Sequence, residues 1–469
     1  MSRTGGAGVS GDEHVEGPAA DASVRPRRPI HNLLEVGEWI VSIVALALIL
    51  RFYVGESFVI PTGSMAPTLL GRHHTLQSPS TGRAFAVDHV RGGGFSAIDT
   101  RTGERIAAAS NGLPLPVDGG DHIAVDKLAY RLGEPERWDV VVFKFPLDPT
   151  RNFVKRLVGL PGERLAIEHG DILINGRRVA KPRPVQDALW FCVYDQAGPG
   201  AADAPSPWIP QSRARWTGGD GARLSAASRA FVAGAGERPT RLRYSRRIED
   251  YYDYNPLSRV DKMAGPSGER LVADLCLETT VIANSGVGVV RLGLVENSQT
   301  LALSLPVKSD PTAAEARVER LGDGPLGALS KTVPGLALEP GVPTRVRFSW
   351  HDRRLIVAVD GVELLRFDDA SAKAAILNSG AWLEAPKQGA RFEQVRLSRD
   401  MVYFGSDFRG AGIALVDGAV QLPEDGYFML GDNAPNSADS RVWGLVRRGH
   451  LVGRAALVFF PPERLRFIR

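Results

Sequence analysis

Apolar positions crowd together at one place in the chain and alternate with polar ones over most of the rest. Residues 36–54, VGEWIVSIVALALILRFYV, contain an uninterrupted apolar run from Trp39 to Leu50, which Tyr53, Phe58 and Ile60 extend. The run alone is shorter than the roughly 20 residues that cross a bilayer. Glu38 and Arg51 lie near its ends, where their charged tips can reach the interface. The basic stretch RPRRP (25–29) precedes it, and no small-residue cleavage site follows. The pattern predicts an uncleaved, single-pass transmembrane helix over 31–55. The positive-inside tendency then puts the N-terminus in the cytoplasm and everything after residue 55 outside. Residues 1–30 are rich in Gly, Ala, Asp and Arg without periodicity and are expected to form a disordered cytoplasmic tail.

Beyond residue 55 the period is two, so the expected fold class is mainly β. RWDVVVFKFP (137–146) and NFVKRLVGL (152–160) read as strands, and Asn175-Gly176 within DILINGRRV (171–179) signals a hairpin. Residues 72–119 are Gly-, Ser- and Arg-rich and read as a surface excursion, with His73 and His74 as solvated loop residues. Residues 181–400 pattern separately. Leu271, Ala273, Leu275 and Leu277 share a face, as do Leu301, Leu303 and Leu305. In 344–367, Val346, Phe348 and Trp350 alternate, then Leu355, Val357 and Val359, with Asp360-Gly361 turning the chain. Such a meander predicts an inserted β-sandwich with one buried face per strand. A strand ending in VDG also resembles the concanavalin-like and laminin-G-like jelly rolls. The expected order is an anchor, a first catalytic part (56–180), the insert (181–400) and a second catalytic part (401–469).

Composition narrows the partners. The 469 residues carry a net charge of +4, spread out rather than blocked, and 43% are hydrophobic. No basic stripe is interleaved with aromatics, so nucleic-acid binding is not expected. An approach to anionic lipid is the expected use of the charge. Cys192 and Cys276 are the two cysteines. They can pair in an oxidising compartment or serve as two small buried hydrophobes, and no cysteine pair remains for a zinc knuckle. SPSTG (78–82) and DTRTGE (99–104) look like zinc-knuckle turns without their cysteines, so no metal or other cofactor is expected.

Three short stretches carry the candidate chemistry: PTGSM (61–65), RNFVKRLVGLPGE (151–163) and GDNAPNSADSRVWGLV (431–446). A serine hydroxyl needs a base before it can attack. The chain has nine histidines, but none sits in a motif with a serine and an orienting acid. A lysine serves as base once burial lowers its pKa from about 10.4 toward neutrality. Lys155 fits, because Phe153 and Leu157 share its strand face while Val154 and Arg156 point the other way.

These stretches, with GDHIAVDK (120–127) and the closing GRAALVFFPPERL (453–465), resemble the boxes of bacterial type I signal peptidases, membrane-bound serine proteases with a Ser-Lys dyad. The resemblance covers roughly 33–71, 120–180 and 420–469. It implies a signal-peptidase-type β catalytic domain on the outer side of the cytoplasmic membrane. It implies Ser64 as nucleophile and Lys155 as general base. Thr62 matches the hydroxyl that joins the Ser64 N–H in an oxyanion hole, and Ser437 the hydroxyl that orients the lysine. Asp439 and Arg441 match a supporting ion pair, and Asp432 a structural acid. The implied partners are preproteins with signal peptides and the lipid bilayer. Two other functions stay open: a soluble Ser-Lys protease of the self-cleaving repressor type, and a membrane-tethered binding protein acting through an unknown ligand of the 181–400 sandwich.

Overall fold

Regular alternation of buried and exposed side chains makes most of the described chain after residue 55 antiparallel strand. The structure is a computed structural model that describes residues 29–49, 55–91, 94–108, 115–198, 206–211, 216–217, 230–250, 254–258, 270–284, 288–308, 315–323, 327–404 and 418–469. It divides into two units, Met1–Tyr53 and Val54–Arg469. In the first, Pro29–Ile49 is a 21-residue helix. Trp39, Val41 and Ile43 on it are 71%, 68% and 59% exposed, an apolar surface that water does not favour. Among the described residues no helix is long and apolar enough to cross a membrane. Residues 1–28 of the expected tail (1–30) and 50–54 of the expected span (31–55) lie outside the described residues, while Pro29 and Ile30, expected in the tail, begin the helix.

In the second unit one sheet runs, in order, through Gly55–Val59, His122–Asp126, Leu451–Phe460, Val140–Phe145, Asp148–Gly159 and Gly426–Leu430. A smaller sheet joins Arg164–Glu168 to both Asp171–Ile174 and Ala419–Gln421. Each sheet therefore pairs chain from before residue 180 with chain from after residue 418. Asn175 and Gly176 turn one hairpin with φ of 52° and 75°, the left-handed values that such a turn requires.

Strands between Phe191 and Arg399 form two further sheets that face each other. Leu277, Phe348 and Phe392 of one interdigitate with Leu292, Leu303 and Leu383 of the other in a shared core, the layering of a β-sandwich. Asp360-Gly361, with φ of 49° and 85°, makes the turn that the alternation implied. Cys192 and Cys276 form no disulfide. They lie opposite Ser398 on the two strands that flank Ala390–Arg399. Two strand spacings, about 10 Å, exceed what a disulfide spans.

Buried charges tie the sandwich to the smaller sheet and tie its own two ends together. Lys373 bonds Asp171 at 2.8 Å and also Asp274. Lys181 reaches Asp352 at 3.0 Å and Asp400 at 2.6 Å. Burial opposes charge on both lysines, but the paired carboxylates hold them above the ordinary lysine range.

Residues 72–119 differ from the expected solvated excursion. His73–Gln77 pairs with Ala84–Asp88, and Phe95–Asp99 with Glu104–Ala108. These hairpins enclose a small core of Val87, Phe95 and Ala97. His74 is not a solvated loop residue: it is 3% exposed, packs on the Phe95 ring and donates from Nδ1 to Pro116 O at 2.7 Å. His73 is half-buried and bonds Gly71 O. Gly and Ser in the turns masked four short strands, each only five residues long.

Candidate active site

Pairing of Gly55–Val59 with His122–Asp126 brings the segment after Val59 alongside Asp121. Ile60 N donates to Asp121 O at 2.9 Å, and Leu70 N to Asp121 Oδ2 at 2.8 Å. Arg464 bonds both oxygens of that carboxylate at 2.7 and 2.8 Å. The loop 60–70 is thus fastened at both ends by one buried aspartate. Gly120 is required there, because a Cβ would stand 1.7 Å from Ile60 O. Within the loop Gly63–Met65 makes a single 3₁₀ turn, with Gly63 and Met65 buried and Ser64 half-buried. Thr62 precedes it in extended conformation and is exposed, with no capping bond from its side chain.

Lys155 sits on Asp148–Gly159, in the middle of the sheet. Its Nζ donates to Ser64 Oγ at 2.5 Å and to Val154 O at 3.1 Å. Phe153 covers it with its ring centroid 5.8 Å away, and Leu157 packs with Phe143 and Met429 in the core below. Burial pushes the Lys155 ammonium down to about 8, against the pull of Asp439 and Asp432. Both carboxylates are already engaged by arginines. Arg441 bonds Asp439 at 2.9 and 2.7 Å, and Arg156 bonds Asp432 at 2.8 and 2.7 Å, with all four side chains fully buried. Arg156, placed by strand alternation on the side away from Lys155, is therefore an inward pair for Asp432.

Ser437 lies against the serine turn but does not bond the lysine. Its Oγ is buried and has no hydrogen-bond partner among the described residues. Gly431 separates it from Ser64: a Cβ there would meet Ser437 Oγ at 2.1 Å and Ser64 O at 2.5 Å. Asn433, which stands in the quoted GDN without having been singled out, is bonded directly to the turn. Its N–H donates to Ser64 O at 3.1 Å and its Nδ2 to Gly63 O at 3.0 Å. A cleft of about 900 Å³ opens over the pair, walled by Phe58, Ile60, Phe153 and the backbone around Ser64. Among the described residues no group of three or more His, Cys, Asp or Glu is placed to hold a metal ion.

A hydroxyl in short contact with an amine whose ammonium is depressed toward neutrality is an arrangement suited to nucleophilic hydrolysis. The family of signal peptidases, peptidase S26, matches residues 110–190 and 386–460, the second stretch taking in the last sandwich strand, Ala390–Arg399. That match contains Lys155, Asp432, Ser437, Asp439 and Arg441 and begins after Ser64. The chain is 32% identical over 150 residues to signal peptidase I of Pseudomonas fluorescens, covering 32% of this chain and 40% of that one. It is 26% identical over 155 residues to a probable signal peptidase I-2 of Synechocystis sp., covering 32% and 49%. A carbohydrate-binding module from Bacillus subtilis has 9% identity and a TM-score of 0.28, over 41% of this chain and 96% of that one. Over these stretches the chain is similar to type I signal peptidases. It spans about 40 to 49% of the length of these two curated relatives.

Proposed function

We propose that this chain is a membrane-bound serine endopeptidase that removes signal peptides from exported preproteins. The observation that carries the reading is the 2.5 Å contact between Lys155 Nζ and Ser64 Oγ. Neutral Lys155 takes the Ser64 proton as Oγ attacks the scissile carbonyl. The Ser64 N–H and the Thr62 hydroxyl receive the developing oxyanion, each worth about 3 kcal/mol in such sites. Protonated Lys155 then passes its proton to the leaving amine. Water, activated by the same amine, releases the acyl group from Ser64. The Asp439–Arg441 and Asp432–Arg156 pairs hold the surrounding backbone without placing net charge beside the lysine. Ser437 supplies a hydroxyl beside the turn that comes within reach of Lys155 when the amine leaves Ser64. Substrate enters the cleft as an extended strand, with small side chains one and three residues before the cut.

The test uses the purified full chain in detergent with a preprotein bearing an Ala-x-Ala site. Sequenced products should begin at the residue after the second alanine. Intact preprotein, or cuts scattered elsewhere, would reject the reading.

Pro29–Ile49 and the apolar residues that follow it would anchor the enzyme in the cytoplasmic membrane, N-terminus inside. This follows from RPRRP before the span and from the exposed Trp39, Val41 and Ile43. The scissile bond of a signal peptide lies just outside the bilayer, so a serine a few residues beyond an anchor meets it there. Protease added outside spheroplasts should digest the chain after residue 55, and full protection would overturn this topology.

A further inference from the structure

Two residues of the segment between the two peptidase parts reach into the serine turn. Asn255 is fully buried, and its amide forms a reciprocal pair with that of Asn433. Asn255 Nδ2 donates to Asn433 Oδ1 at 3.0 Å, and Asn433 Nδ2 donates back to Asn255 Oδ1 at 3.1 Å. The other proton of Asn433 Nδ2 goes to Gly63 O at 3.0 Å. Tyr254, the residue before Asn255, lies under Gly63, where a Cβ would stand 2.1 Å from its ring. Tyr254 has φ of 72°, a left-handed backbone unusual for a bulky residue and kept only where its surroundings fix it. Its carbonyl accepts from Asp88 N at 2.8 Å, and Asp88 Oδ2 accepts from Asn436 Nδ2 at 3.1 Å.

We infer that Asn255 is a positioning residue for the oxyanion donor, so that the insert completes the peptidase site. The inference rests on the peptidase reading above. In a trans peptide the carbonyl and the following N–H point in opposite directions. Fixing Gly63 O therefore fixes the direction of the Ser64 N–H. Asn433 fixes Gly63 O only while its Nδ2, not its Oδ1, faces that carbonyl. Asn255 sets this orientation, since it offers a donor to Oδ1 and an acceptor to Nδ2 at once. An amide turned the other way would set two oxygens against each other at Gly63. The insert thereby reaches the reacting carbonyl through two side chains, Asn255 and then Asn433, without touching substrate.

The full chain in detergent is assayed on the same preprotein, unsubstituted and as Asn255→Ala, Asn433→Ala and the double variant. Asn255→Ala should lower kcat roughly tenfold to a hundredfold, part of what loss of one oxyanion donor costs. KM and the pH of half-maximal rate should not move, because the cleft and Lys155 are intact. The double variant should be no slower than Asn433→Ala, since both act on one carbonyl. Should Asn255→Ala fail to fold, as judged by its Tm, Asn255→Asp replaces it. Asp has the same shape, lacks the donor to Asn433 Oδ1 and should show the same loss in kcat. Unchanged kcat, a loss carried by KM, or additive losses in the double variant would overturn the positioning role while the peptidase reading stood. No cleavage by the unsubstituted chain would overturn both.

Discussion

Lys155→Arg should abolish cleavage, lowering kcat/KM by at least about 10³-fold, within the span general-base catalysis contributes. A guanidinium does not lose its proton near neutrality, so arginine keeps the charge and loses the base. Ser64→Ala should be equally inactive, and Ser437→Ala milder, since the latter leaves both reacting atoms in place. The pH profile follows from the direction of the shift. Burial holds Lys155 at about 8, below the ordinary lysine value, so the neutral form gains as pH rises through 8. The rate should climb about tenfold per unit between pH 6 and 7.5 and level off above 8.5. The same shift has an opposite sign for stability. Holding the amine down by about 2.5 units costs the fold about 3 kcal/mol below pH 8, and that cost fades between 8 and 10.5. A rate that stays flat from pH 6 to 9, or an active Lys155→Arg, would remove Lys155 from the role of base.

Asp432→Ala should destabilise the chain by about 3–5 kcal/mol, because it leaves Arg156 charged and unpaired in a site closed to water. Arg156 also donates to Trp138 O at 2.8 Å, so the guanidinium cannot swing out without breaking a second contact. Denaturant unfolding of the purified chain measures the loss. Pairing Asp432→Leu with Arg156→Met should recover most of it, because two apolar groups remove the buried charge altogether. A loss below 1 kcal/mol for the single variant would mean that water reaches the pair.

Much of the site was readable because its parts are local. GDN and SADSR lie within eleven residues, and the Asp439–Arg441 pair closes over two positions. The alternation of 344–367 was readable because that strand pair has one face in the core. Arg156 points away from Lys155 as the alternation implied, but alternation alone does not tell that this second face is buried too. Residues 155–159 are buried in succession, as in any strand covered on both sides. Asn255 carried no signal at all. It lies 178 positions from Asn433, in a stretch without periodicity, and its role exists only once the two amides meet.

A long insertion between two strands of one sheet imposes an entropic burden on that sheet. Closing a flexible loop of the 219 positions between Lys181 and Asp400 costs about 5 kcal/mol. The sandwich removes that burden by bringing its own two ends within a hydrogen bond, Lys181 Nζ to Asp400 Oδ2 at 2.6 Å. To the strands on either side the folded insert is then a short hairpin connection, whatever its contour length. Arg156 can find Asp432 across 276 positions with little more search than a hairpin needs, provided the sandwich has folded first.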